Sequence, residues 1–280
     1  MTRRIAVSTR VCLFLLLVCL SFTFTAFTFR ASSFRASSFR AFSFRAFSFR
    51  ASSFNASSFR AFSQRPPLTI THLTGDVYVY TTWRTLPTGP FPSNSAYVVT
   101  AKGVVLLDCP WDTTQYQPLL DSIEARHHQP VVLFIATHFH DDRTCAIDFL
   151  KKKGIPTYST VLTRQLCAKE HNPEAEHVFQ HDTSFQVGGY MLQTYYPGAG
   201  HTTDNIVVWL GRDKVLYGGC LVKSTEAAGL GNLADANVAE WPASIHRLMD
   251  RYPDAAYVIP GHQGWADPHS LQHTLELLKK

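Results

Sequence analysis

The chain has 280 residues and a formal net charge of +5, from 26 lysines and arginines against 21 acidic side chains. The first 64 residues hold nine arginines and no lysine or acidic residue, so the remainder carries a net charge of −4. Basic residues are scattered through that remainder, and we expect no nucleic-acid partner. Its length suits one α/β domain with its own core, at residues 65–280.

The N-terminus has the pattern of an export signal. Three arginines precede the apolar run VCLFLLLVCL, and the uncharged stretch of 19 residues approaches the length of a membrane-spanning helix. Residues 1–28 are therefore interpreted as a signal peptide or an uncleaved signal anchor. Either interpretation predicts a periplasmic protein, released in the first case and membrane-anchored in the second.

Residues 29–64 are built from a five-residue repeat, FRASS or FRAFS. A period of five gives successive phenylalanines no common face on a helix and opposite faces on a strand. We predict a disordered linker. The alternative is a segment that contacts an anionic membrane surface through its arginines and phenylalanines.

Strand and helix patterns alternate through residues 65–280. The first strands, at 68–73, 77–83 and within 95–111, form hairpins that turn at Gly75-Asp76 and Lys102-Gly103. Further strands are predicted at 131–137, 156–160, 183–187, 190–197, 205–210, 214–219 and 256–260, and helices at 113–127, 143–153, 161–170, 238–251 and 267–279. Two strand-rich blocks, each accompanied by helices, predict two packed sheets with helices outside.

The segment ATHFHDDRTC at 136–145 carries candidate metal ligands. His138, His140 and Asp142 alternate directly after a buried strand, where a loop leaves the sheet. Imidazole and carboxylate groups are suitable ligands for zinc. The alternative is a loop that carries histidines without binding a metal.

Three further candidates, His201, Cys220 and His262, stand near glycine at the ends of predicted strands. Glycine lets the backbone turn closely around a ligand. Taken singly, a cysteine at a strand end is usually a small buried hydrophobe. Six such residues in the same strand-to-loop setting favour a metal site.

Five motifs occur in one order along the chain: THFHDDRTC, PGAGHTTDN, GGCLVKS, GLGNLADANVAEW and PGHQGW. Together they resemble the metallo-β-lactamases, specifically the B1 subclass, which binds two zinc ions and uses a cysteine ligand. The resemblance covers about residues 66–280. It implies an α/β fold, the αββα four-layer sandwich, with the active site along one edge of the two sheets.

The resemblance also implies roles for the six candidates. His138, His140 and His201 would hold the first Zn²⁺, and the second would be held by Asp142, Cys220 and His262. A hydroxide shared by the metals would attack the β-lactam carbonyl, since zinc lowers the pKa of bound water to about 7. The implied function is hydrolysis of penicillins, cephalosporins and carbapenems by a monomer, which gives antibiotic resistance.

Substrate contacts are implied by the same resemblance. Lys223 resembles the lysine that holds the substrate carboxylate, and Asn232 resembles a catalytic donor near the carbonyl oxygen. The loop 84–94 resembles the mobile flap over the substrate, where Trp83 and Phe91 would add apolar contacts. The alternatives are a solvated lysine, a turn-forming asparagine, and rings that pack in the core or fill the loop.

Arg143 distinguishes this chain from other hydrolases of the wider fold. Thioesterases, lactonases and ribonucleases carry H-x-H-x-D-H and a bridging aspartate, where this chain has Arg143 and Cys220. Arginine cannot bind zinc, and we expect it beneath the site, where it offsets the charge of the Asp142 and Cys220 ligands.

Two alternative functions stay open. The first is the activity of a thioesterase or lactonase, and the second is a non-enzymatic zinc-binding surface protein in which the repeat is the functional part.

Cys145 stands in a stretch where the family usually has glycines. It is either a packing cysteine or an oxidation-sensitive residue near the second metal site. Four cysteines lie outside the predicted signal, at positions 109, 145, 167 and 220, with no short paired spacing. The sequence therefore predicts no disulfide framework and leaves a single bridge open.

Overall fold

The computed structural model describes residues 66–180 and 182–280. The predicted signal at 1–28 and the predicted repeat linker at 29–64 lie outside the described residues, so both stay predictions. Among the described residues, none of the helices combines the length and apolar character needed to cross a membrane.

The first sheet contains seven strands that lie side by side in chain order. They are β1 (Thr69–Thr74), β2 (Val77–Leu86), β3 (Gly89–Thr100), β4 (Gly103–Leu107), β5 (Val131–Ile135), β6 (Thr157–Thr160) and β7 (His177–Phe179). The first four strands pair antiparallel, and β4 to β7 pair parallel. Both predicted hairpin turns are confirmed, and Gly103 adopts a φ of 126° in the second turn, a conformation that favours glycine. The short strand β7 was not predicted.

The second sheet contains five strands in the order β12-β11-β10-β9-β8. They are β8 (Ser184–Val187), β9 (Tyr190–Tyr195), β10 (Val207–Leu210), β11 (Val215–Gly219) and β12 (Tyr257–Pro260). Only the pair β11 and β12 is parallel among these strands. The carboxyl ends of these two neighbours therefore meet at one edge of the sheet.

Six α-helices accompany the sheets in the described part of the chain. They are α1 (Tyr116–His127), α2 (Asp141–Thr144), α3 (Ile147–Lys152), α4 (Val161–Lys169), α5 (Trp241–Arg251) and α6 (Ser270–Leu278). A 3-10 turn at Thr113–Gln115 precedes α1. The single helix predicted at 143–153 is wrong, because the chain forms two short helices there. The Ala146 N–H donates to Sγ of Cys109 at 3.5 Å rather than to a carbonyl of the preceding turn, which interrupts the helix.

The core has three apolar layers, which establish the predicted αββα sandwich. The inner layer joins the facing sides of both sheets, as with Val98, Leu107 and Val208. The two outer layers pack helices against each sheet. Leu119 of α1 and Ile147 of α3 cover the first sheet, and Trp241, Ile245 and Leu271 of α5 and α6 cover the second. This burial of apolar surface is the main stabilising contribution to the sandwich.

The segment 84–94, expected to be a loop, is largely a β-hairpin. Strands β2 and β3 stay in register as far as Leu86 and Gly89, where a two-residue turn closes the hairpin. Its prolines do not prevent pairing, because β3 pairs with β4 only from Ala96 onward. Over the hairpin tip β3 therefore has one partner strand, and a proline nitrogen on its free side costs no ladder hydrogen bond.

Candidate metal centre

The six predicted ligands converge at one edge of the two sheets. His138 and His140 lie on the turn that follows β5, and Asp142 lies in α2 immediately after it. Three other segments of the second half complete the group: the loop between β9 and β10 with His201, the end of β11 with Cys220, and the end of β12 with His262. The parallel pairing of β11 with β12 places Cys220 and His262 next to each other.

Three imidazole rings form what we call the histidine cluster: His138, His140 and His201. Their centroids lie 4.9–5.0 Å apart in edge-to-face arrangements. Nδ1 of His140 lies 3.1 Å from Nε2 of His201. Burial lowers the pKa of His138 and of His201 well below the ordinary value, so both rings are neutral and keep a lone pair for a metal.

A second group, the mixed cluster, consists of Asp142, Cys220 and His262. Sγ of Cys220 lies 3.2 Å from Nε2 of His262 and 3.5 Å from Oδ2 of Asp142. Nε2 of His262 lies 3.2 Å from the same carboxylate oxygen. Burial alone would lower the pKa of His262, but the negative groups at Cys220 and Asp142 raise it to about 9. Nδ1 of His262 lies 2.8 Å from the Pro92 carbonyl oxygen, a hydrogen bond that turns Nε2 toward the cluster.

The donor atoms fit zinc. Each of three trios has its ligand atoms within 4.8 Å of one another: His138–His140–Asp142, His138–His201–Cys220 and Asp142–Cys220–His262. Nitrogen, thiolate sulfur and carboxylate oxygen are the ligands that zinc takes in proteins. Nε2 of His138 is buried without a hydrogen-bond partner and points among these donors, which is costly unless an ion accepts its lone pair.

A cavity of about 430 Å³ opens over both clusters. Four ligands line it: His140, His201, Asp142 and His262. The other two, His138 and Cys220, lie behind them and are only 1% and 2% exposed. Both clusters therefore present part of their donor set to one space that admits a small molecule.

The predicted substrate contacts are distributed unevenly around this cavity. Lys223, Asn232 and Phe91 line it, whereas Trp83 is not among the lining residues. Lys223 is buried, its Nζ lies 5.2 Å from the centre of the Trp241 ring, and burial lowers its pKa. Asn232 is exposed, and its Oδ1 accepts a hydrogen bond from the Ala234 N–H at 3.1 Å.

Residues 88–262 match the family model described as the metallo-beta-lactamase superfamily. The chain belongs to this superfamily. Over 78% of its length it is 42% identical to a "Metallo-beta-lactamase type 2" of Elizabethkingia meningoseptica, covering 87% of that relative. A protein of the same description from Bacillus cereus is 41% identical over 76% of this chain and 83% of its own length.

Solved structures agree with this membership. The chain is similar to metallo-beta-lactamase IND-7, with a TM-score of 0.75 and 40% identity over 78% of this chain and all of that one. It is also similar to the metallo-beta-lactamase from Pontibacter korlensis, with a TM-score of 0.74 and 39% identity over 76% of this chain and all of that one. The resemblance found in the sequence motifs is thereby confirmed at the level of the family and the fold.

In this member of the superfamily, Arg143 lies beneath the mixed cluster, as expected. Its side chain is fully buried and donates to Sγ of Cys220 at 2.9 Å and to the Gly261 carbonyl at 2.9 Å. It also lies 3.0 Å from the Asp142 carboxylate. Burial alone would raise the pKa of Asp142, but the Arg143 guanidinium holds it well below its usual range. The aspartate is therefore ionised and ready to bind a cation.

Two supporting carboxylates of this metallo-β-lactamase were missed by sequence reasoning. Asp108 is fully buried at the end of β4 and accepts hydrogen bonds from the Thr137 N–H and hydroxyl, at 2.7 and 2.8 Å, beside His138. Asp235 places Oδ2 3.0 Å from Nε2 of His140. Both orient the histidine cluster from outside it. The signals available were the strand-end position of Asp108 and the place of Asp235 within GLGNLADANVAEW.

One residue that lines the cavity, Trp111, was not predicted. Trp111 lines the cavity, and its ring centroid lies 5.9 Å from that of His262. The Arg84 guanidinium stacks over Trp111 at 5.0 Å and pairs with Asp141 at 2.5 Å. The base of the hairpin is thus tied to the helix that carries Asp142.

Proposed function

We propose that this chain opens the β-lactam ring of penicillins, cephalosporins and carbapenems with two zinc ions, and thereby gives resistance to these antibiotics. The observation that carries the proposal is that two donor clusters, one of three histidine rings and one of Asp142, Cys220 and His262, face a single cavity. The relatives that bear the name metallo-beta-lactamase support the same reaction.

In this proposal the histidine cluster would hold one zinc ion and the mixed cluster the other. When bound, zinc supplies Lewis acidity at neutral pH. His138 and His201 contribute neutral rings, because burial keeps them unprotonated. Asp142 contributes an ionised carboxylate next to the Cys220 sulfur, and the buried Arg143 offsets the negative charge of both.

Substrate binding falls to the residues of the cavity wall. Among the residues that line the described cavity, Lys223 is the only lysine and there is no arginine. Its ammonium suits the carboxylate of a β-lactam. The Asn232 amide can donate to the ring carbonyl oxygen, where negative charge develops during attack. Phe91 and Trp111 supply apolar surface that excludes water from the site.

The proposal includes the location and state of the enzyme. We propose a periplasmic monomer, exported by residues 1–28, whose repeat at 29–64 is a linker, with contact of that repeat with the membrane surface as the alternative. The apolar run flanked by arginines and the positive charge of the repeat support it. Cell fractionation with mass spectrometry of the mature N-terminus tests it, and activity confined to the cytoplasm would contradict it.

The test of the reaction is imipenem hydrolysis by the purified, zinc-loaded chain. We expect hydrolysis that stops with EDTA and returns when zinc is restored. A thioester and a lactone are assayed in parallel, because hydrolases of the wider fold act on these substrates. A folded, zinc-loaded protein that ignores imipenem and hydrolyses the thioester or lactone would overturn the proposal in favour of that activity.

A further inference from the structure

Two cysteines outside the metal centre lie close together in the apolar layer between the first sheet and its helices. Cys109 follows β4 directly after Asp108, and Cys145 lies between α2 and α3. Their Sγ atoms are 3.7 Å apart, although the residues are 36 positions apart in the chain. Cys109 is fully buried and Cys145 is half-buried, so Cys145 is the more accessible of the two residues.

Neither thiol has a role in the proposed reaction. The candidate metal groups found among the described residues include Cys220 but neither Cys109 nor Cys145. Packing alone would be served by any small apolar side chain at either position. Two sulfur atoms in van der Waals contact add a chemical capacity that packing does not require.

We propose that Cys109 and Cys145 are a disulfide-forming pair that cross-links the end of β4 to the α2–α3 junction. A disulfide needs the sulfurs at about 2.05 Å, so each has to move by less than about 1 Å. Both side chains already pack in the same apolar layer, and this short approach requires side-chain rotation without separating the segments.

The hydrogen bonds around the pair are compatible with oxidation. The Ala146 N–H donates to Sγ of Cys109, and a disulfide sulfur keeps this acceptor role. Two weak bonds are lost: the contact between the two thiols, which the covalent bond replaces, and the donation from the Cys145 thiol to the Pro110 carbonyl, at 3.3 Å. Formation of the cross-link therefore leaves no strong hydrogen bond unmade.

The oxidant is another disulfide, either a small molecule or a protein. The more exposed Cys145 sulfur attacks it and forms a mixed disulfide, and the first thiol leaves with a proton. Cys109 then attacks the Cys145 sulfur, and the second thiol leaves. The two protein thiols lose two electrons and two protons, and the oxidant is reduced to two thiols. An exported protein meets such oxidants in the periplasm.

The cross-link would brace the backbone that supports the metal centre. On one side, Asp108 next to Cys109 holds Thr137, which precedes His138. On the other, Cys145 lies three residues after Asp142 in the adjoining turn. The bond would join the segment after β4 to the α2–α3 junction, on either side of the turn that carries His138 and His140. It would also reduce the conformational entropy of the unfolded chain. A rise in melting temperature of roughly 5–15 °C is expected for a loop of this length.

The test equilibrates the zinc-loaded full-length protein with oxidised glutathione below its melting temperature. Zinc is kept bound so that Cys220 does not compete as a thiol. Peptide mapping without reductant is expected to find Cys109 linked to Cys145, with the loss of two hydrogen atoms and a higher melting temperature that reductant reverses. Absence of the linked peptide in the folded protein, or its appearance only after unfolding, would overturn the proposal.

Variants supply the matched controls. Cys109→Ser and Cys145→Ser are expected to abolish both the linked peptide and the shift in melting temperature. Cys167→Ser removes a buried thiol whose Sγ lies by the Phe139 carbonyl, and it should retain both. A shift in melting temperature that persists in Cys145→Ser would contradict the proposed cross-link. The comparison of wild-type protein with and without reductant decides the matter even where a variant folds poorly.

Discussion

The histidine cluster and the mixed cluster are both buried metal-binding groups, but their electrostatics are opposite. The histidine cluster consists of rings, two of which burial keeps neutral. The mixed cluster contains an ionised carboxylate and a cysteine sulfur, and a fully buried guanidinium lies directly beneath them. The first group needs orientation and the second needs charge compensation.

This difference explains why their supporting residues differ. Asp235 and Asp108 act on the histidine cluster through hydrogen bonds that fix a ring or its backbone. Arg143 acts on the mixed cluster through its charge and five donors arranged as a fork. Replacing Arg143 is expected to lower the stability of the protein more than replacing Asp108 or Asp235 does. The reason is that a buried charge without its partner is more unfavourable than a misaligned ring.

The largest effect is expected for Arg143→Met. This change leaves the buried Asp142 carboxylate with only the His262 imidazole beside it, at 3.2 Å, and we expect a loss of unfolding free energy of about 3–5 kcal/mol. Chemical denaturation of the metal-free protein measures it. Arg143→Lys, which keeps the charge but not the fork, should fall between Arg143→Met and wild type. Equal stability of Arg143→Met and wild type would contradict the claim that the mixed cluster needs charge compensation.

The second effect concerns the substrate rather than the ligands. Lys223→Met keeps an unbranched side chain of similar length and removes the ammonium, so we expect KM for imipenem to rise roughly 10–100-fold with a smaller change in kcat. Steady-state kinetics measures it. Lys214→Met, at an exposed lysine that pairs with Asp254, is the matched control and should change neither constant. A fall in kcat at constant KM would remove Lys223 from substrate binding.

A similar or smaller effect is expected for Asp235→Ala. Loss of the contact with Nε2 of His140 frees that ring to rotate, and zinc affinity of the histidine cluster should fall about 10–100-fold. Titration with a competing chelator measures it. Asp254→Ala removes an exposed aspartate outside the cavity and is the control. Unchanged affinity in Asp235→Ala would show that the cluster needs no external orientation.

The smallest effect is expected for Arg84→Met. The pair with Asp141 is partly exposed, at 41% and 47% of the two side chains, and such pairs contribute about 0–1 kcal/mol. We therefore expect little change in stability and at most a few-fold change in KM, because the hairpin is less firmly held over the cavity. A loss of stability as large as that of Arg143→Met would make this partly exposed pair as strong an electrostatic support as the buried guanidinium, contrary to the account.

The sequence predicted most of the fold because the hydrophobic patterns of strands and helices are local. It missed the break at Ala146, which depends on a sulfur acceptor 37 residues away. It also missed the paired part of the hairpin at 84–94, where prolines are typical of a loop. Pairing on one side only removes the cost of a proline there, and which strands are neighbours is a property of the whole sheet.

The same distinction applies to the site. His138, His140 and Asp142 stand in one short motif, and the resemblance supplied the other three ligands. Asp108 and Asp235 have partners 29 and 95 residues away, so a strand-end position and a motif neighbour could mark them as candidates without showing which side chain each one contacts. The predicted apolar contacts were right in part. Phe91 lines the cavity and Trp83 does not, whereas Trp111, in the loop after β4, lines it without having been predicted.

The most direct test of the account is the metal content of the purified protein, wild type against Cys220→Ser. We predict two zinc ions per chain in the wild type and about one in the variant, which keeps the histidine cluster intact. Replacement of zinc by cobalt adds a second reading, because a thiolate–cobalt absorption band should be present in the wild type and absent in Cys220→Ser. One ion in both proteins, or a thiolate band that survives the substitution, would contradict the division of the site into two clusters.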